Sequence, residues 1–338
     1  TADLLATARE IQAIVGERKV ERAALMVAAR TTVPLLLSGE HAAADALLAA
    51  LEIKAGLLAA TDPGLRARIL YARAIRAAVR GNPAALIEPM AAAAQSYEEA
   101  GDLRNAAMQR VNVGFGLLEL GDYDRAEQSL RPALAAAERL GLSTVAATAK
   151  HNLGLVLGRK GQLPEGIAIE AEAAAMFHAH KDIRMEGASR NYLALLHLAA
   201  RDLAAAERES RAALTLLAGF APMRAHALAA LAEAHLLGGR AGEALAAAGE
   251  AMAVLDALGG IDEGEPYLRL VHAEALHAAG RIAEARAAIG AARDKLLARA
   301  ARIEDPVRSS TFLSAVPENA RTLYLAGVLD QLAQGGPP

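Results

Sequence analysis

The sequence predicts an all-α protein, a right-handed α-solenoid of antiparallel helix pairs, and three observations carry that prediction. Of its 338 residues 54% are hydrophobic but only 3% aromatic, a turn signal returns about every 40 residues, and two columns of small residues keep step with it. Ala and Leu dominate the apolar content, and both are strong helix formers with little β-branching, so the composition favours helices over sheets. A length that would otherwise suggest about two globular domains is read instead as one small unit repeated.

The turns are Gly39-Glu40, Gly81-Asn82, Gly121-Asp122, Gly161-Gln162, Arg201-Asp202, Gly239-Arg240 and Gly280-Arg281, spaced by 42, 40, 40, 40, 38 and 41 residues. Each follows one amphipathic stretch and precedes another. A Gly that accepts a left-handed backbone ends the first helix, and a polar residue starts the second. Asn82 before Pro83 predicts a cap followed by Pro at the first helical position.

Five residues after the turn stand Ala44, Ala126, Gly166, Ala206, Ala244 and Ala285, with Leu86 as the exception; seven further on come Ala133, Ala173, Ala213, Ala251 and Ala292. Small residues in both columns let the second helix of each pair approach its neighbours closely. With the runs Asn112-Val113-Gly114 and Asn152-Leu153-Gly154 in the first helices, these columns resemble the tetratricopeptide repeat over residues 39–302. The resemblance departs in its period, near 40 where the standard repeat has 34, and in replacing most aromatics by Leu and Ala. Glu99-Ala100-Gly101-Asp102-Leu103-Arg104-Asn105, Gly187-Ala188-Ser189-Arg190, Glu263-Gly264-Glu265 and Val316-Pro317-Glu318-Asn319-Ala320-Arg321-Thr322-Leu323 resemble, more narrowly, the C-terminal repeat region of large bacterial signalling proteins. In that myxobacterial type a serine/threonine kinase or a regulatory ATPase precedes the repeats, which implies an N-terminal effector outside this chain.

Three regions follow. Residues 1–38 read as irregular N-terminal helices interrupted near Gly16 and Pro34, 39–304 as the repeat array, and 305–338 as a capping helix and tail. Asp305-Pro306 breaks the last repeat, and Phe312, Leu313, Val316, Leu323 and Leu325 supply apolar cover for its open face. Pro89 and Pro132, inside second helices, are expected to kink them. The N-terminus lacks both Met and a signal-peptide layout, so the chain reads as a piece of something longer.

No catalytic constellation is recognisable: no phosphate-binding loop, strand-borne dinucleotide fingerprint, nucleophile elbow or zinc-protease helix occurs. The chain is therefore read as a non-enzyme without cofactor or metal. A net charge of -3 gives no global attraction to nucleic acid, no apolar run is long enough to span a membrane, and zero Cys fits a cytoplasmic setting. His178 and His180 point in different directions on a helix, and His272 and His277 lack the spacing of joint ligands. The acidic run Asp262, Glu263 and Glu265 reads as a helix N-terminus rather than a cation site.

One constellation remains. Eleven residues before the turn the first helices carry Arg110, Lys150, Arg190 and, after a gap at Leu228, Arg269. Beside that column lie Asn112, His151, Asn152 and Asn191. Cations that pair with carboxylates and amides that pair with main chain suit an extended peptide. The competing reading is a structural ladder in which the cations pair with neighbouring acids such as Glu119 or Glu186. The function expected is a protein-interaction or regulatory scaffold binding a protein or extended peptide segment, an effector domain of the same parent chain included. The alternative is the small-ligand sensor domain of a repeat-containing transcription activator, which the chain also resembles.

Overall fold

The computed structural model describes residues 2–16, 21–80, 82, 84–261 and 264–333, which form seventeen helices and no strand. The first five are α1 (Ala2–Gly16), α2 (Arg22–Leu37), α3 (His41–Thr61), α4 (Pro63–Val79) and α5 (Ile87–Glu99). Then come α6 (Leu103–Glu119), α7 (Tyr123–Arg139), α8 (Ser143–Arg159), α9 (Leu163–Ala179), α10 (Ile183–Ala199) and α11 (Leu203–Leu216). The chain closes with α12 (Ala221–Leu237), α13 (Ala241–Leu258), α14 (Glu265–Ala278), α15 (Ile282–Ala300), α16 (Pro306–Ala315) and α17 (Pro317–Ala333). Gly81, Pro83, Asp262, Glu263 and residues 335–338, which figure in the sequence reading, lie outside the described residues.

Consecutive helices pack as antiparallel pairs, so the chain is an α-solenoid. Each 40-residue period holds two equal helix steps: α6 to α11 begin every 20 residues, because a second set of turns at Gly101, Gly141 and Lys181 alternates with those at Gly121, Gly161 and Arg201. All six turn residues have positive φ, including the two that are not glycine, Lys181 at 58° and Arg201 at 62°. Asp102, Asp122, Asp182 and Asp202 each follow such a residue and accept from the backbone N–H three residues on, satisfying one of the donors a helix start leaves free.

Both small-residue columns are buried throughout, from Ala44 to Ala285 and from Ala133 to Ala292, leaving aside the exceptional Leu86, which is only partly buried. A third column faces them from the first helices: Ala74, Gly114, Gly154, Ala194, Ala232 and Ala273, all buried. Contact there is close enough that a Cβ on Gly114 would stand 2.4 Å from Leu130 Cγ. Leu130 and Leu153, wholly buried in this seam, are each worth about 1.5–3 kcal/mol of apolar transfer.

Three local expectations are corrected. α2 runs through Pro34 without interruption: the ring removes one N–H near the helix end, and the amides of Ser38 and Gly39 close the last turn onto Pro34 and Leu36. Pro89 is the third residue of α5, where no intrahelical bond is lost, so it does not fall in a helix interior. Asn82 Oδ1 does accept from the Ala85 amide at 3.1 Å, yet the helix begins only at Ile87. Pro132 does lie inside α7, which continues past it to Arg139.

α6, α8, α10, α12 and α14 each meet the next in that series, whereas the odd-numbered helices from α5 to α15 scarcely touch one another. The even helices therefore form the inner wall of the curve. α1 to α4 share one apolar core of their own. At the other end α17 packs on α14 and α15, while α16 reaches back to the middle of the chain. Tyr123 donates to the Ala315 carbonyl at 3.1 Å, Arg308 pairs with Glu88 at 2.9 Å, and Phe312 and Val316 join the core of α6 to α8. The C-terminal helices thus cover the last repeat and also strap the inner curve.

Candidate functional site

The inner wall carries two cavities. The first, about 520 Å³, lies against the N-terminal halves of α8, α10 and α12 and is closed on one side by Leu217, Leu258 and Ile261. Its floor is polar and buried: His151, Asn152, Asn191 and Tyr192. Asn191 is only 3% exposed, and its Oδ1 has no hydrogen-bond partner among the described residues. Among the described residues no hydrogen bond holds the Asn152 amide either. Asn112, higher on the wall, donates through Nδ2 to Gln109 at 3.1 Å.

His151 is fixed from behind. Its Nδ1 lies 2.7 Å from Glu170 Oε1 and 3.0 Å from Ser189 Oγ, and its ring stacks on Tyr192 at 4.2 Å. Burial pushes the Glu170 carboxyl above the usual carboxylate range, and the contacts with His151 and Ser189 draw it part of the way back. Glu170 escaped the sequence reading although a signal exists. It stands nine residues after the turn, where the other repeats place Leu130, Ser210, Ala248 and Ile289, all buried. A carboxylate in that column must be buried too.

Of the eight residues proposed from sequence, the fold brings Asn112, His151, Asn152 and Asn191 to this cavity and sends the four cations elsewhere. Arg110 pairs with Glu98 at 2.7 Å, and Lys150 sits between Glu138 at 3.3 Å and Glu172 at 2.6 Å. Arg190 joins Glu186 at 3.0 Å and Glu209 at 3.1 Å, and Arg269 joins Glu265 at 2.7 Å. The cause is helical geometry: residues two apart differ by about 200°, so Asn112 and Asn152 face inward as Arg110 and Lys150 turn to the carboxylates of the outer helices. Glu119, considered as a partner for this column, instead approaches Arg299 at 3.9 Å.

The second cavity, about 480 Å³, lies at the C-terminal halves of the same inner helices and is walled by the strap. Arg159 reaches Glu318 at 3.1 Å, Arg321 joins Glu233 and Glu274 at 2.7 Å each, and Tyr267 donates to Glu233 at 2.6 Å. Desolvation raises the Tyr123 phenol to about 12, so it stays a donor. Tyr192 and His226 line both cavities, which makes the two parts of one inner groove.

Among the described residues no three His, Asp or Glu side chains are grouped to hold a metal, and His178 pairs with Glu186 at 3.0 Å. No described helix is long and apolar enough to cross a membrane.

Fold and groove together define a tetratricopeptide-like α-solenoid with a cavity-bearing inner face. No family model and no curated protein matches the chain. Among solved structures it is similar to a Rap protein complexed with competence and sporulation factor, at 15% identity and a TM-score of 0.55 over 91% of this chain and 98% of that one. The Rap conjugation gene regulator of the plasmid pLS20, in complex with the Phr* peptide, gives 12% identity and a TM-score of 0.57, covering 94% and 98%. A putative kinesin light chain of Podosopora anserina with TPR-like repeats matches over 58% of this chain and 97% of its own, at 16% identity and a TM-score of 0.47. At such identities the likeness shows the fold alone.

Proposed function

We propose that the chain is an interaction and regulatory scaffold whose inner groove binds an extended peptide segment of a partner. One observation carries this reading: a cavity of peptide-binding size has a floor that includes the amides of Asn152 and Asn191, and the buried Oδ1 of Asn191 is left without a partner among the described residues. An Asn side chain offers one acceptor and two donors, the complement of a peptide unit, and desolvated amides left unpaired cost free energy until a ligand pairs them. Asn112 and His151 extend this surface. Arg110, Lys150 and Arg190 contribute from behind, holding inner and outer helices in register, while Arg269 pairs with Glu265 within α14. Rap proteins of this fold are complexed with competence and sporulation factor and with the Phr* peptide, which supports a peptide as occupant. The setting proposed is a cytoplasmic bacterial signalling protein, with an effector domain of the parent chain as one source of the segment.

A second reading, a small-ligand sensor of the transcription-activator type, is favoured by the strap, which walls one side of the second cavity. Selection from a displayed library of random peptides about seven residues long separates them. Enriched peptides should bind the whole chain, and the pair Asn152→Leu and Asn191→Leu should weaken them at least tenfold with the helical content retained. An absence of enrichment, or equal affinity for the variant, refutes the peptide reading.

A further inference from the structure

Resting on the reading of this cavity as a peptide site, we infer that it selects a segment carrying an Asp or Glu side chain, held at the mouth by Arg184, beside an aliphatic residue. Arg184 lines the cavity, is exposed, and has no ion-pair or hydrogen-bond partner among the described residues. The cations of the neighbouring column differ: every one of them has a carboxylate within 4 Å. Arg184 also occupies the first turn of α10, where the helix dipole opposes a positive charge. Asp182, the N-cap of the same helix, accepts from the Met185 amide at 3.0 Å and forms no ion pair with Arg184 among the described residues. The described lining includes no Asp or Glu at all. A guanidinium with no partner among the described residues, at the rim of a groove whose described lining carries no acid, is complementary to a carboxylate, which its planar fork binds through two parallel hydrogen bonds.

Depth fixes the rest. Below the rim Met185, Leu217 and Met223 form an apolar wall, and thioether side chains adapt to aliphatic groups of differing shape. Asn191 Oδ1, buried and unpartnered beyond them, accepts a main-chain N–H from the segment. A side-chain carboxylate fits the rim better than a chain end, because a segment running on into solvent leaves its charge beside an exposed Arg.

The test uses three displayed libraries, random over about seven positions except for a fixed central Glu, Gln or Lys, panned on the whole chain. On the wild type the Glu library should yield about tenfold more binders than the Gln library. On Arg184→Gln that lead should vanish, and on Arg184→Glu the Lys library should lead. A Glu preference that persists in Arg184→Gln overturns the assignment, as does a lead for the Lys library on the wild type, which acids beyond the described lining would produce. Enriched peptides that bind only with a free C-terminal carboxylate and not when amidated also overturn it. If peptides bind without any acid preference, the acid assignment fails and the peptide groove stands; if no library binds, both fall.

Discussion

Lys181 and Arg201 hold left-handed backbone at turns where the equivalent positions are Gly101, Gly121, Gly141 and Gly161, and replacing each by Gly should stabilise the fold. A non-glycine residue in that region costs about 1–2 kcal/mol. Glycine returns about 0.5–1 kcal/mol of this through the greater freedom of its unfolded chain. Neither side chain has a hydrogen-bond or ion-pair partner among the described residues, so truncation removes no polar contact. The net gain is then about 0.5–1 kcal/mol per site. The two sites stand at opposite ends of α10, whose 17 residues span about 26 Å, so the gains should add to about 1–2 kcal/mol. The reciprocal change, Gly161→Ala, isolates the same quantity with the opposite sign. Gly161 has φ +80° and nothing within 4 Å of an added Cβ, so its loss of about 0.5–1 kcal/mol is backbone strain less the entropy that Ala removes from the unfolded chain, with no steric clash added. Guanidinium unfolding followed by circular dichroism gives the midpoints. Hydrogen exchange across α9 to α11 localises the change, because a solenoid sums the stabilities of neighbouring units and need not melt as one. A lower midpoint for either glycine variant, or a higher one for Gly161→Ala, refutes the reasoning.

Three further outcomes are expected. Ala126→Leu and Ala206→Leu should each destabilise by about 1–3 kcal/mol, since both alanines are wholly buried in the helix seam; unchanged denaturant midpoints would break the assigned register. Lys150→Glu should lower thermal stability by more than the about 0–1 kcal/mol of an exposed pair, because Lys150 is mostly buried between Glu138 and Glu172, while peptides selected on the groove keep their affinity; the reverse pattern would place this cation in the binding surface. Arg240 and Arg211 hold the Glu207 carboxyl down to about 2, below its ordinary 4.5, so its contribution is complete above about pH 5 and disappears as pH falls toward 2. The melting difference between wild type and Glu207→Gln should shrink across that window, and a constant difference would show that the ion pairs contribute nothing.

Much of the fold was legible because it is written in spacing. A helix pair closes on itself within about 40 residues, so its turns and close contacts recur at a fixed interval, and the small columns at Ala126, Ala133 and their equivalents expose that interval directly. The midway turns were less visible because Lys181 carries no glycine signal, although Asp102 and Asp182 mark the helix starts that follow them. The prolines were misread for a reason of position: the same ring that breaks a helix interior is harmless in the first turn, as at Pro89, and nearly so close to the end, as at Pro34.

Helical periodicity by itself determined the architecture, the buried columns, and the set of polar residues on the first helices of the pairs. Which of those residues share a surface was decided by tertiary structure. Asn112 and Arg110, two positions apart, look equally exposed in sequence, yet only packing against Glu98 settles which one turns outward. The Glu170 contact with His151 joins adjacent helices, and the strap brings Ala315 to Tyr123 across 192 residues. Such contacts depend on the curvature of the whole solenoid, which accumulates from small rotations at every repeat and leaves no local pattern in the chain.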